Sequence, residues 1–528
     1  KKQMSINNPD SKIDQDELQP LQLQINDNHT ATPEDVESQQ KQELCDKRIS
    51  KNLMIGRGNF FATIPFLVFH YLSNYFDTIG TNQAQPYIQK HFNTSESLTQ
   101  WSVSIYYLAQ ATCSIPLAKI GDNIGHIKLM MIQYAVLTLV QLGSCLIDNF
   151  YVFLAFRFVA GAISAGTQVS RTAHTRLLAP QGKVLQFFQY QIVILQIVQI
   201  LCPLLAGVLL DINFKWMYAL LTGFSFVAML TLIPYQDTPK PQQKQRFDAL
   251  GSVLLLGAVG ALQLALTFAS FLDYVVAPIL LVATAVLGAV LLYWEKCKAK
   301  DPILPLKLLK NPVLSYVVAN TLQFVCQAGM GYMFPYFFRY TKRSGKQMGI
   351  FSFVVSIGAT VDAFLIPLLQ KFVVNKIVTQ VCSGVCCVLL LAIVLTAGDE
   401  VAYIALYCTC LIVSTVIPFV VLPSIILAVP KSSSGQIAAI PTTSKTVGQG
   451  LSSSVSALVL QIGMKEFGKT KGELEAFFTC SKITHIIFLV LLVMSMIWIQ
   501  FGTGHNKSDA GKKGYKEEKV RELTINEV

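Results

Sequence analysis

Charge is what this chain of 528 residues has least of: Asp, Glu, Lys and Arg make up 14% of it, against about a quarter in a soluble globular domain. Of its 73 charged residues, 18 fall in residues 1–58 and 11 in 503–528, which leaves 44 for the 444 residues between. A middle so poor in charge, in a chain that is 52% hydrophobic with a mean hydropathy of +0.47, excludes a water-soluble domain and predicts a membrane one. Metal-site spacing is also missing. The 12 cysteines form no CxxC pair and lie mostly in apolar runs (Cys113, Cys145, Cys202, Cys326, Cys408), and Cys382, Cys386 and Cys387 share one helix, which suits packing better than ligation. GxSxG, HExxH and Walker patterns do not occur, so the expectation is a protein that is not an enzyme and needs neither metal nor cofactor. The net charge of +11 does not indicate a nucleic-acid partner, because the basic residues are scattered between apolar runs without interleaved aromatics. No secretory signal pattern is expected ahead of the first apolar run near Phe60.

What is present is a series of apolar runs, each near the 20 residues that a bilayer crossing needs. Fourteen spans are predicted, near 60–86, 101–119, 129–147, 151–173, 184–209, 215–233, 249–270, 275–294, 313–338, 347–370, 377–397, 401–428, 434–462 and 481–502. Polar, proline-bearing segments (Gln236 to Arg246, and the run from Glu295 to Lys310) set off the central pair, giving a six, two, six layout. The expected organisation is a disordered cytoplasmic tail (1–58), a first six-helix bundle (59–233), a linker with two central helices (234–312), a second six-helix bundle (313–502) and a basic tail (503–528). The fold class is all-α, a polytopic membrane protein.

An ionisable side chain inside a span is costly and normally faces a cavity. His70, Asn74, Asp77 and Thr81 are spaced four, three and four apart, one polar face of the first span ending in a carboxylate. Asp77 suits a proton carrier, since burial favours a neutral carboxyl, or a pin between helices. Arg157, two turns into the fourth span, could pair with a carboxylate, hold a substrate anion or tether backbone carbonyls. Asp362, mid-span in SIGATVDAFLIPLL, is a candidate on the same cost argument and has no partner legible in sequence. Gln189, Gln196 and Gln199 on the fifth span, and Asn320, Gln323 and Gln327 on the first span after the linker, are amide stripes that line a cavity or bond helix to helix.

The segments FDTIGTNQAQP, WSVSIYYLAQATCSIPLAKIGDNIG, FRFVAGAISAG, CPLLAGVLLDINFKWMY, RFDALGSVLLL and PILPLKLLKNP occur in order along residues 60–502. In that order they resemble the fourteen-span drug:proton antiporter branch of the major facilitator superfamily. The resemblance implies two six-helix bundles of the major facilitator type with two extra central helices, and a midplane substrate site exposed alternately to each side. It places Asp77, Thr78, Asn82 and Pro86 on the first-span signature, and Asn82 joins the cavity candidates. Asp122, Gly125, Gly161, Pro203 and Gly207 fall on gating motifs. The inner-loop motif is degraded: Ala118, Asn123, His126 and Ile127 stand where the family carries glycine, arginine and further basic residues, so the charge relay there is expected to be weak. Ala160, Cys202 and Ala206 replace a usual glutamine and two usual glycines.

The leading expectation is a proton-coupled antiporter exporting a small organic, amphipathic or cationic compound. The alternatives are a symporter or facilitator for a nutrient or metabolite such as a chelate or amino acid, and a non-transporting membrane sensor. The partners expected are a small-molecule substrate, protons and the lipid bilayer, for a monomer in the plasma membrane, with a vacuolar or other internal membrane as the alternative. Orientation follows from loop charge. With residue 1 in the cytoplasm, the inner loops as far as Lys310, counted with Lys119 and Arg171 at the adjoining span ends, hold 13 lysines and arginines and the outer loops only Lys90 and Lys215. The last six spans run the other way, with Arg339, Lys342, Arg343, Lys346, Lys465, Lys469, Lys471 and Lys482 outside and Lys371, Lys376 and Lys431 inside. Early helices usually dominate insertion. Protease or tag accessibility is therefore expected to find residues 1–50 and 503–528 both cytoplasmic and a glycan acceptor at Asn93 outside; ends on opposite sides would refute an even number of spans.

Overall fold

The computed structural model describes residues 63–178, 184–234, 248–270, 275–299, 313–369, 373, 375–396, 398–427 and 434–502; side chains at 176–178, 184–186, 188–189, 270, 313, 367, 375, 417–419, 421–427, 434–441, 469–471 and 502 lie outside that description. Both expected tails, the segment from Gln236 to Arg246 and residues 302–312 therefore fall outside the described residues. The described residues hold fourteen long helices. These are α1 (Ile64–Phe92), α2 (Trp101–Ile124), α3 (His126–Leu146), α4 (Phe150–Leu178), α5 (Val184–Ile212), α6 (Phe214–Thr231), α7 (Ala249–Ser270), α8 (Val276–Cys297), α9 (Val313–Tyr340), α10 (Gly345–Leu369), α11 (Asn375–Thr396), α12 (Glu400–Leu427), α13 (Ser434–Lys471) and α14 (Glu473–Gly502). Nine of them are, among the described residues, long and apolar enough to cross a membrane. Five are outside that group: α12, apolar over the shorter stretch Glu400–Val416, and α1, α2, α9 and α13, which carry buried polar residues such as Ser102, Ser104, Gln110, Thr112 and Ser114 of α2 and Ser452, Ser453, Ser454 and Ser456 of α13.

Local chemistry explains the ends. Asn149 accepts from the backbone N–H of Tyr151 and Val152 at the start of α4, and Asn213, Asp248 and Asp399 do the same for α6, α7 and α12. Ser344 and Gln347 exchange bonds across the first turn of α10, a capping box. Between α2 and α3 the chain reverses on one residue, Gly125, whose φ of +101° is reached without strain because glycine lacks a Cβ.

Apolar side chains point two ways, as a bilayer solvent requires. Leu139, Ile279, Val282, Val388 and Leu395 stand on the outer surface, whereas aromatic residues fill the interior. Phe337 stacks on Tyr403 and Phe334 on Tyr407 in the second half, and Tyr134, Phe153 and Tyr218 are buried in the first. Helix α8 packs on α7, and α7 packs on α2 and α13, where the Gln100 amide donates to Thr267 at 2.9 Å. The central pair thus lies against one side of the seam between the halves.

At the Asn93 end the halves are closed on each other. Arg339 of α9 donates to Gln89 and lies 3.9 Å from Glu96, Tyr340 donates to Glu96 at 3.1 Å, and the N–H of Ser97 donates to Gln461 at 2.9 Å. Asp211, at the end of α5, accepts from the first two N–H groups of α10, those of Gly345 and Lys346, at 2.8 and 3.1 Å. On the surface nearby, hydrogen bonds from Lys215 and His91 hold the Asp148 carboxyl below its usual value of 3.8; this tie is intact at neutral pH and lost only as pH falls through that depressed value.

Helices α5 and α10 meet through glycine. A Cβ on Gly207 would sit 2.5 Å from the Gly345 carbonyl oxygen and 3.0 Å from the Gly349 Cα, and one on Gly349 would sit 2.9 Å from the Pro203 oxygen. Pro203 itself lies inside α5, where it removes a backbone donor. A side chain at Gly207 must push two backbones apart, and overpacking of this kind costs about 1–3 kcal/mol. Gly207→Leu is expected to lower the Tm of the purified protein, whereas Gly288→Leu on α8, where nothing lies within 4 Å, leaves it unchanged. Equal Tm values for the two variants would contradict this packing.

Candidate functional site

Halfway along the 29-residue α1, Asp77 is 1% exposed, and Arg157 of α4, about 10 Å into its own helix, is 2% exposed. Their side chains meet: Arg157 Nη1 donates to Asp77 Oδ1 at 2.5 Å. The rest of the guanidinium is also occupied, with Nε donating to the Ser102 carbonyl at 2.9 Å and the Tyr106 ring stacked 4.4 Å from Cζ. Thr81, one turn beyond Asp77, donates to Asp77 Oδ1 at 3.2 Å and lies 3.1 Å from the Tyr218 hydroxyl. Of the readings open to Arg157 in sequence, the structure contains two at once: it pairs with a carboxylate and tethers a carbonyl. For Asp77 the contact is with another helix, the geometry that the second reading, a pin between helices, requires.

Gly161 explains how α2 comes so near. A Cβ there would run into the backbone carbonyl of Tyr106. Gly161 is one turn after Arg157 on α4 as Tyr106 is one turn after Ser102 on α2, so the same contact brings the Ser102 carbonyl within reach of the arginine.

A buried polar network extends from the pair. Ser164 donates to Asn74 and accepts from Tyr106 at 2.8 Å and Gln110 at 3.0 Å, and Asn74 donates to the His70 carbonyl at 2.9 Å. His70 shares the face of Asp77, as its spacing predicts, but its own partners are Tyr134, 2.5 Å from Nδ1, and Arg171, whose Nε donates to Nε2 at 3.0 Å. No direct bond joins His70 to Asp77 among the described residues. Arg171 also donates to Gln191 and Thr172 and lies over the Tyr71 ring at 5.3 Å. Two residues short of the expected span end at 173, it reads in sequence as a charge at the membrane surface; α4 in fact continues to Leu178.

The other candidates separate. Asp362 lies on α10 in the second half, half-buried, and accepts from Thr415 of α12 at 3.0 Å, a partner 53 residues away. Asn82 is half-exposed on α1 and donates to the Thr78 carbonyl. Gln196 is buried with its Oε1 unmet among the described residues, Gln199 is half-buried, and the side chain of Gln189 lies outside the description. Asn320 bonds Ser444 of α13 at 3.1 Å. Gln323 and Gln327 instead line a small cavity with Cys326, Met330, Cys386 and Cys410, so they face α11 and α12 inside the second half. Spacing of three and four puts amides on one face without saying which neighbour that face meets. In the degraded loop motif, His126 Nε2 lies 3.0 Å from Asp122, so the histidine occupies part of the place of the missing cations; the Asp–His spacing of four was the available signal.

Breaking a buried pair by removing one member costs about 3–5 kcal/mol, because the other charge stays buried alone. Thermal unfolding of Asp77→Asn, Arg157→Gln and the double variant is expected to give a double-mutant loss smaller than the sum of the single losses. Additive losses would show that the two charges do not interact.

The profile of the Major Facilitator Superfamily matches residues 67–457. The multidrug resistance protein Stp of Mycobacterium tuberculosis (strain CDC 1551 / Oshkosh) is 26% identical over 251 residues, 47% of this chain and 46% of Stp. A glucose transport protein of Synechocystis sp. is 29% identical over 153 residues, 28% of this chain and 30% of that one, so the chain spans under half the length of either relative. A bacterial homologue of the human lysosomal transporter Spinster, solved facing inward and unoccupied, superposes with a TM-score of 0.59 at 13% identity over 87% of this chain and 98% of that chain, a likeness of fold alone. With a family match over most of its length and an all-helical, multi-pass membrane architecture, the chain belongs to the Major Facilitator Superfamily, a family of transporters and not of enzymes.

Proposed function

We propose that this protein is a secondary transporter working by alternating access, and specifically a proton-coupled antiporter that exports a small organic compound across the plasma membrane. The observation that carries the reading is the Asp77–Arg157 pair, a carboxylate buried at mid-helix and held by one cation. Protonating Asp77 would remove the charge that Arg157 answers, leaving the guanidinium on the Ser102 carbonyl and the Tyr106 ring, both neutral. Proton binding is thereby linked to the position of α4 against α1 and α2, the kind of differential interaction that shifts a conformational equilibrium.

The closed Asn93 end supports alternating access. Arg339–Glu96, Tyr340–Glu96 and Asp211–Gly345 all join the two halves there. Loop charge puts that end outside, so the state described is shut toward the exterior. The likeness to Stp, a multidrug resistance protein, supports the outward direction of export.

The test is flux in proteoliposomes with an imposed pH gradient and a panel of candidate compounds. Asp77→Asn keeps shape and hydrogen bonding but cannot change charge, so it is expected to abolish uphill movement while exchange of substrate for substrate survives. His70→Ala is expected to slow coupling less, because the imidazole bonds Tyr134 and Arg171 and not the pair. A folded Asp77→Asn protein that still concentrates substrate against its gradient would refute the assignment and shift attention to Asp362.

A further inference from the structure

The buried Asp77 and Arg157 and the half-buried Arg171 and Lys445 are carried by α1, α4 and α13, and the four charges do not balance. Asp77 and Arg157 answer each other. Arg171 and Lys445 have no carboxylate partner among the described residues: Arg171 bonds His70, Gln191 and Thr172, all without formal charge, and Lys445 lies over the rings of Tyr75 at 5.2 Å and Phe324 at 5.5 Å. Of the carboxylates elsewhere in the interior, Asp362 is engaged with Thr415 in the second half and Glu295 is buried on α8, in the central pair. The undescribed stretches that adjoin α4, α5 and α13, residues 179–183 and 428–433, contain no Asp or Glu in sequence.

The two cations share a platform. Arg171 covers Tyr71, Tyr71 meets Tyr75 edge-on at 5.9 Å, and Lys445 covers Tyr75. They come from opposite halves, α4 and α13, and each lies over a tyrosine of α1. Tyr75, Thr78 and Asn82, one stripe of α1, are only half-buried although α1 packs against α2, α5, α6 and α9, so this stripe opens on an interior cleft and not on lipid. Gln449, one turn beyond Lys445, has its Oε1 buried without a donor among the described residues.

We propose that this cleft selects organic anions, a flat or conjugated carboxylate lying beside the half-buried Tyr75 with its charge toward Arg171 and Lys445. Two half-buried cations met only by neutral groups among the described residues leave room for an anion, and a carboxylate beside them gains charge-assisted bonds. A cationic compound in the same place meets two like charges, which sets the cleft against the cationic cargo that the antiporter resemblance implies. Aromatic faces add flat contact area and cation–π support for the two heads. The inference deepens the transport reading by naming its substrate class, and it is tested by binding, which does not depend on coupling.

The full chain in phosphatidylcholine nanodiscs is titrated with 2-naphthoate and with 2-naphthylmethylammonium, probes matched in ring and size but opposite in charge. Naphthoate is expected to bind at least tenfold more tightly. Arg171→Gln and Lys445→Gln are each expected to weaken it about tenfold, with Arg171→Lys intermediate. Equal or tighter binding of the ammonium, or wild-type naphthoate binding in both Gln variants, overturns the proposal. If Arg171→Gln does not fold, Lys445→Gln decides, since Lys445 touches only two ring faces. Nanodiscs containing phosphatidylglycerol separate a soluble acid from a lipid headgroup: unchanged binding supports a soluble substrate, and its loss makes the resident anion a lipid and overturns the substrate reading. Naphthoate that binds but is not moved by a pH gradient supports the anion class while removing the coupling assignment.

Discussion

The compensation of Asp77 by Arg157 is the constraint around which the first half is arranged. Neither charge is tolerable alone at 1–2% exposure in a bilayer interior, so the helices that carry them must stay in contact, and a third must supply what the guanidinium still lacks. That third helix is α2, through the Ser102 carbonyl and the Tyr106 ring. Gly161 makes the approach available, and Ser164, the next small residue on that face, links Tyr106, Gln110 and Asn74 into one network. One ion pair therefore fixes the mutual position of α1, α2 and α4.

Much of this architecture could be read from the chain because membrane helices obey a simple rule: about 20 apolar residues cross, and polar residues among them face inward. Asp77, Arg157 and the face shared by His70 and Asn74 follow from that rule. Their pairing does not, since Asp77 and Arg157 are 80 residues apart and nothing in either local pattern names the other. Arg171 was hidden by its place near an expected span end, and Lys445 by the low hydropathy of α13, which makes one more lysine unremarked. Gln323 and Gln327 share the face that their period predicts and line a cavity, one inside the second half whose other walls no local pattern names. Periodicity reports the face of a helix, while the partner on that face is set by packing across the whole bundle.

The glycine contact between α5 and α10 and the polar contact between α2 and α13 join the halves in different ways. The first brings backbones together at Gly207, Gly345 and Gly349 with no side chain between them. The second is held by hydroxyl pairs, Ser104 with Ser453 at 2.7 Å and Ser114 with Thr443 at 2.6 Å. Hydroxyls can exchange partners with water as a seam opens, so the α2–α13 contact is suited to parting, whereas close-packed glycines are suited to pivoting.

Asp211 gives the closed end a further property. It sits on α5 yet completes the first turn of α10, with both carboxylate oxygens on that helix's leading N–H groups. A helix start capped by its own residues keeps its cap wherever the helix moves; one capped from the opposite half loses it when the halves separate. The first turn of α10 would then be held by the Ser344–Gln347 box alone and would fray more readily. Opening the Asn93 end would thus change the secondary-structure stability of a single turn, and amide exchange at residues 345–346 would become a local clock for a motion that spans the whole molecule.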